Sequence, residues 1–301
     1  MGVAFFKEPE LQNPVLIACW PGIGNIGIIA VDLLRRALGA EEFAEIEPWH
    51  FFFPRKVFIR GGFLEALDFP RSKFYFKHLP QGDLIIFTGD QQPGTETMYA
   101  SGERAYRMAN LVLDVAERFG CRRVYTSGAC VTFSHHLQKP RVCAVVTHPH
   151  LKEEVRKLPN SAFISEIEGG MREGMIVGLN GLLLAVAKKR GFEGICLMGE
   201  IPDWLSQAPF PYPKASRSVF EAFAYILNLE LKPEGLDEME SHIERLIEDL
   251  YRRLPRDFRE KYERRLRTRA KREAITEEDV KWIREHIDEL FGKKGGEEKH
   301  G

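Results

Sequence analysis

Long apolar runs are missing from this 301-residue sequence. None approaches the ~20 residues needed to cross a bilayer, so no membrane-spanning helix and no membrane partner are expected. The opening residues, Met1 to Phe6, lack the basic region and cleavage site of a secretory signal, and a cytoplasmic location is the expectation. Cysteine is sparse, with five residues and no C-x-x-C pair. Cys19, Cys143 and Cys196 sit inside strand-like apolar runs, which reads as buried, reduced thiol. No G-x-S-x-G elbow is present, so Ser127, Ser134 and Cys130 lack the setting of an activated nucleophile, and Ser127–Gly128 reads as a turn. His135–His136 and His148–Pro149–His150 lack the fixed ligand offsets and orienting carboxylates of a zinc site. Adjacent histidines on a strand would point to opposite faces. They read as rim residues, and neither a metal nor a cofactor is expected.

What the chain does contain is a core-forming composition, 44% hydrophobic and 29% charged. Val15 to Cys19 is a short apolar strand leading into Pro21–Gly22–Ile23–Gly24–Asn25–Ile26–Gly27. A helical pattern follows through Ile28, Val31, Leu34 and Leu38, and Gly39 stops it. Phe51 to Phe53, Val57 to Arg60, Phe63 to Leu67 and Lys73 to His78 then alternate with turn residues, and Gly61–Gly62 reads as a hairpin turn. Further strands are predicted at Asp83 to Phe87, Val124 to Ser127, Val142 to Thr147 and Ile195 to Gly199. Helices are predicted at Thr97 to Phe119, Leu182 to Arg190 and Ala215 to Leu227. Strands alternating with helices imply an α/β fold: three α/β/α layers around a mixed, mostly parallel sheet.

From Leu236 the character changes. Leu236, Met239, Ile243, Leu246, Leu250 and Leu254 mark an amphipathic helix. Residues 252–272 carry 11 Lys and Arg against 3 Asp and Glu, a local +8 in a chain whose net charge is −1. A last helix opens at Thr276–Glu277–Glu278–Asp279, which resembles a capping box, with Ile283, Ile287 and Leu290 on its apolar face. The expected organisation is an α/β domain at 1–232, a charged helical extension at 233–291 and a disordered tail at 292–301.

Two groups of residues are candidate sites. Gly22, Gly24 and Gly27 satisfy G-x-G-x-x-G between a strand and a helix, where free N–H groups and the helix dipole attract a phosphate. Against this, Pro21 removes an N–H, and the chain after Glu47 is β-rich rather than a second α/β crossover. The plainer reading is a tight turn with close packing. Asp90 and Glu200 follow presumed parallel strands, at the edge where open α/β sheets bind ligands. With Gly22, Gly24, Asn25, Gly27, Asn180 and Gly181 they form a candidate cleft. The second group is basic: Arg264, Arg265, Arg267, Arg269, Lys271 and Arg272 could contact phosphates. Phe258, Tyr262 and Leu266 recur at i, i+4, i+8, the spacing of a packing face, so a solvated or docked helix is favoured over a nucleic-acid contact.

The stretch VLIACWPGIGNIGIIAVDLL resembles the opening of the proteasome assembly chaperone family, second-chaperone type. Three more blocks follow in that family's order: DLIIFTGDQQP, EGGMREGMIVGLNGLLLAVAKKRGFEGICLMGE and PYPKASRSVFEAFAYILNLEL. The resemblance spans about residues 12–232. It implies a three-layer domain similar in fold to purine nucleoside phosphorylases, self-association, and a role in assembling proteasome α subunits. Some archaeal members end in a hydrophobic–tyrosine–any tripeptide that enters proteasome pockets. This chain ends Lys299–His300–Gly301, so activation through that device is not expected. The leading expectation is a non-catalytic, homo-oligomeric interaction protein. The alternatives are a nucleotide- or small-molecule-binding enzyme using Gly22–Gly27, and a nucleic-acid-associated factor using the basic helices.

Overall fold

The structure, a computed structural model, describes residues 2–94, 102–167, 174–268 and Lys281. Its main sheet takes strands β1 (Val3–Phe5), β2 (Val15–Cys19), β3 (Glu41–Ile46), β6 (Ser72–Lys77), β7 (Leu84–Gly89), β8 (Arg123–Thr132), β9 (Val142–Val146), β10 (Ser161–Phe163) and β11 (Glu193–Pro202). Their order across the sheet is β1-β3-β6-β7-β2-β8-β11-β9-β10. The centre, β7-β2-β8-β11, is parallel throughout. Antiparallel pairing builds the flank β1-β3-β6-β7 and attaches β9 to β11, while β10 returns parallel to β9.

Period-2 alternation in the central strands explains the three layers. In β2, Ile17 and Cys19 face one side and Leu16 and Ala18 the other. The first side is covered by α1 (Ile26–Ala37), α5 (Pro213–Ile226) and α6 (Leu236–Arg253), and the second by α2 (Gly102–Arg118) and α4 (Leu179–Lys189). A short α3 (Leu151–Arg156) lies between β9 and β10, and α7 (Arg256–Thr268) follows α6. The α6 stripe of Leu236, Ile243, Ile247 and Leu250 belongs to the same buried cluster as α1 and α5. The expected last helix around Ile283, Ile287 and Leu290 lies outside the described residues.

Gly61 and Gly62 do form a hairpin turn, with φ of +58° and +83°. These left-handed values suit a two-residue turn that matches strand twist. The turn joins β4 (Lys56–Arg60) to β5 (Phe63–Asp68), which among the described residues pair only with each other. Two expectations change. Phe51–Phe53 is no strand: Phe51 and Phe52 donate their backbone N–H groups back to Pro48 O, curling the chain into a turn that buries both rings. Conversely, Glu41–Ile46 is a full strand whose three glutamates hide its pattern, with Glu42 answered by Lys73 of β6 at 2.8 Å.

Candidate functional site

The carboxyl ends of β2, β7, β8 and β11 share one edge of the sheet, with the glycine loop at its middle. Gly22 is extended, and Gly24 and Asn25 are both left-handed at φ +58° and +49°, which swings the chain sharply into α1. Protein fills the space that the next two glycines open. A Cβ on Gly24 would stand 3.1 Å from Tyr212 Cβ, and Tyr212 donates its backbone N–H to Gly24 O at 2.8 Å. A Cβ on Gly27 would meet the Ser127 carbonyl carbon at 2.8 Å and Gly128 N at 2.9 Å, so α1 rests directly on the backbone of β8. Gly181 plays the same part in α4, against Ile176 at 2.6 Å. Of these four glycines, Gly22 alone meets nothing within 4 Å.

The polar side chains of this edge bind the frame together. Asn180, in the first turn of α4, accepts the Trp20 N–H at 3.1 Å and donates to Trp20 O at 3.3 Å, closing both backbone valences at the end of β2. Gln92 donates to Pro21 O at 2.6 Å and accepts the Leu179 N–H at 2.8 Å. Two amides thus tie the β2–α1 loop, the end of β7 and the start of α4 into one unit. Sequence reasoning singled out Asn180 and passed over Gln92, although Gln92 stands in the block DLIIFTGDQQP.

Glu200 is buried and fully engaged. It accepts from Thr132 Oγ1 at 2.7 Å, from Arg141 N at 3.1 Å and from both ends of the Arg141 guanidinium at 2.8 and 3.1 Å. Burial alone would raise its pKa, but these hydrogen bonds and the Arg141 charge outweigh it and hold the carboxyl below the ordinary value. Asp90 accepts the Arg71 N–H at 3.1 Å and returns its own N–H to Arg71 O at 2.8 Å, locking β7 to the start of β6.

The candidate cleft residues therefore do not converge. Gly22 and Asn180 line a cavity of about 220 Å³ whose walls are mostly apolar, including Ile23, Ile164, Ile176 and Met198. Ser127 and Cys196 also reach it. The Ser127 hydroxyl donates to Leu197 O at 2.7 Å, and burial pushes the Cys196 thiol up to about 11, far from a thiolate nucleophile. Among the described lining residues there is no lysine or arginine. Asp90 lines a different groove, shared with Arg55, Glu234 and Leu236.

The histidine pair is drawn together rather than splayed. His135 and His136 lie in the bend after β8, not on a strand, and their rings stack at 4.4 Å. His135 meets Glu263 of α7 at 3.0 Å and His136 meets Glu248 of α6 at 3.4 Å, so the pair fastens both C-terminal helices to the sheet edge. Among the described residues no cluster of His, Cys, Asp and Glu is arranged to hold a metal ion. In the basic group, Arg264 and Arg265 lie on α7 beside its packing face. Tyr262 donates to Ser134 O at 2.7 Å, and Phe258 and Leu266 pack on the α1/α5 side of the core. Arg267 also belongs to α7, while Arg269, Lys271 and Arg272 lie outside the described residues.

Fold and edge together define an α/β/α protein whose ligand-binding rim is largely closed by its own side chains. The chain belongs to the PAC2 family, whose profile matches residues 16–251. It is similar to the Pyrococcus furiosus protein PbaB, described as an archaeal proteasome activator: 32% identity, 82% of this chain and 97% of that one, TM-score 0.68. P. furiosus PbaA, described as an archaeal homologue of proteasome-assembly chaperone, shares the fold at 20% identity, with 89% of this chain, 100% of that chain and TM-score 0.60. The protein MJ1210 of Methanocaldococcus jannaschii is 28% identical over 276 residues, 92% of this chain and 94% of that protein. Among the described residues no helix is long and apolar enough to cross a membrane.

Proposed function

We propose that this chain acts as a non-catalytic, homo-oligomeric interaction protein that binds proteasome α subunits during assembly or activation of the proteasome. One observation carries the reading: at the sheet edge where α/β enzymes bind ligands, the polar side chains are spent on the protein itself. Asn180 and Gln92 close backbone groups of β2, its loop and α4, Glu200 is saturated by Arg141 and Thr132, and Gly24 and Gly27 are packed against Tyr212 and β8. A phosphate needs free N–H groups at a helix start. Here Gly24 and Gly27 serve the close approach of one part of the fold to another. Similarity to PbaB at 32% identity supports a proteasome subunit as client.

Native mass spectrometry of the purified chain, alone and mixed with unassembled α subunits from the same organism, tests this. The expected result is a homo-oligomer that forms a mixed complex of defined stoichiometry. A homo-oligomer that ignores α subunits overturns the client assignment. A thermal shift with ATP, NAD or nucleosides addresses the edge itself, since a ligand at 100 times its Kd raises stability by ~2.7 kcal/mol. No shift is expected.

A further inference from the structure

The β4–β5 hairpin is apolar and, among the described residues, uncovered. It springs from the same edge of the sheet as the glycine loop, because β3 ends and β6 begins there, opposite the carboxyl end of β7. Ile59 is 71% exposed, Leu64 70%, Phe63 79% and, at the hairpin's base, Phe53 77% and Trp49 63%. Among the described residues neither face has a core beneath it: Val57 and Ile59 stand opposite Leu67 and Leu64, while Phe58 stands opposite Ala66, and all but Ala66 are large and exposed. A two-stranded hairpin is marginal in water when nothing packs on it. Large exposed apolar patches mark interaction sites. Taking ~150–250 Å² per aromatic side chain, the exposed parts of Trp49, Phe53, Phe58 and Phe63 offer on the order of 400–650 Å², against about 800 Å² per partner in a standard interface. The exposed aliphatic residues make up the difference.

Charge distinguishes the two edges of the hairpin. β4 is basic, with Lys56 and Arg60 and with Arg55 just before it, and β5 is acidic, with Glu65 and Asp68. Both outer edges lack a strand partner among the described residues. Two β4 edges laid antiparallel about Phe58 would set Lys56 opposite Arg60, and two β5 edges would gather four carboxylates on one seam. Like charges across strands are unfavourable, and opposite charges are favourable. The pairing that satisfies both edges is β4 of one copy against β5 of the next, repeating the contact that already joins Arg60 to Glu65 at 3.3 Å within the hairpin.

We propose that the β4–β5 hairpin is the self-association element of this protein, each copy adding its basic β4 edge to the acidic β5 edge of a neighbouring copy. The inference rests on the homo-oligomeric reading above and gives it a surface. Such head-to-tail addition is heterologous, so it closes into a ring when the rotation per step permits. Backbone hydrogen bonds across the seam supply affinity, and the apolar side chains are covered on both faces.

A charge-swapped chain tests the seam. Lys56→Glu, Arg60→Glu, Glu65→Lys and Asp68→Lys together keep opposite charges within each hairpin, so the swapped chain retains its own fold and its own assembly. Mixed with the wild-type chain after dissociation, the two sort into separate oligomers, because every mixed junction opposes like charges. Native mass spectrometry with one chain isotopically heavy reads the result. A monomeric wild-type chain would sink the homo-oligomeric reading itself. A wild-type oligomer that mixes statistically with the swapped chain overturns the hairpin seam and leaves homo-oligomerisation standing. As a second variant, Ile59→Ser with Phe63→Ser weakens self-association at least tenfold, with circular dichroism and the melting of the dissociated chain unchanged. Full assembly in that variant, with loss of α-subunit binding alone, would reassign the hairpin to the client and overturn the proposal.

Discussion

Helix α6 and the β4–β5 hairpin are both built from apolar residues at regular spacing, and the fold treats them in opposite ways. The stripe on α6, Leu236, Ile243, Ile247 and Leu250, is covered by α1 and α5. The hairpin's Ile59, Phe63 and Leu64 are exposed, with no cover on either face among the described residues. Periodicity in the sequence announces that a face wants cover. It does not say whether the cover comes from the same chain. Among the described residues the helix finds its partner within the fold and the hairpin does not, which is the physical content of the proposal that a second copy supplies it.

The sharpest way to break this comparison is to truncate one isoleucine in each region. Ile247→Ala removes a side chain only 2% exposed, and such losses cost ~2–5 kcal/mol through lost transfer energy and the cavity left behind. Ile59→Ala removes one 71% exposed, and surface changes away from special features stay within ~0.5 kcal/mol. Denaturant unfolding of the dissociated chain measures both. Equal costs would mean that the hairpin is already packed in the isolated copy, and the contrast would dissolve.

How much of this was legible beforehand follows the same line. The central strands were plain because parallel, doubly covered strands read as short apolar runs, as Val15–Cys19 and Leu84–Gly89 do. The hairpin was legible through Gly61–Gly62, and the packing role of Tyr262 through its spacing with Phe258 and Leu266. The strand Glu41–Ile46 was not, because Glu41 and Glu42 are satisfied by Lys7 and Lys73 on neighbouring segments, partners that no local window contains. The rule of strand ends singled out Asp90, just after β7, and Glu200, near the end of β11. Where each side chain points was invisible: Glu200 beneath Arg141 and Asp90 tied to Arg71 are decided by loops distant in sequence. The His135–His136 stack escaped because a reading as rim residues carries no side-chain direction.

Covered and uncovered positions can be compared again at intermediate cost in the glycine loop. Gly27→Ala would force a methyl to within 2.8 Å of the β8 backbone, which cannot swing aside as a side chain can. Overpacking of this kind costs ~1–3 kcal/mol. Gly22→Ala meets nothing within 4 Å in an extended conformation open to any residue, so its melting temperature should match the parent within the ~0.5 kcal/mol of a surface change. If instead Gly22→Ala left stability intact and abolished binding of a nucleotide, the loop would be a ligand site and the interaction reading would have to yield there.

The smallest expected effect tests how α6 is held, without touching its stripe. His136 is buried, which lowers its pKa first of all, and the stacked His135 and the Lys214 ammonium of α5 lower it further. Glu248 of α6 pulls the other way, and Trp204 and Tyr251 complete its surroundings. With its folded pKa below the ordinary 6.5, the imidazole binds a proton more readily in the unfolded chain. Its contribution is therefore present above pH 6.5 and is lost as pH falls through that value toward the lower folded pKa. The slope is a fraction of the ~1.4 kcal/mol per pH unit that one whole proton can supply. Glu200, held below 4.5, loses its contribution only at more acid pH, so the two windows separate. Melting temperatures of wild type and His136→Asn across pH 7 to 5 read the difference: the wild type falls more steeply over this range than the variant. An unchanged slope in the variant would move the titration to another group.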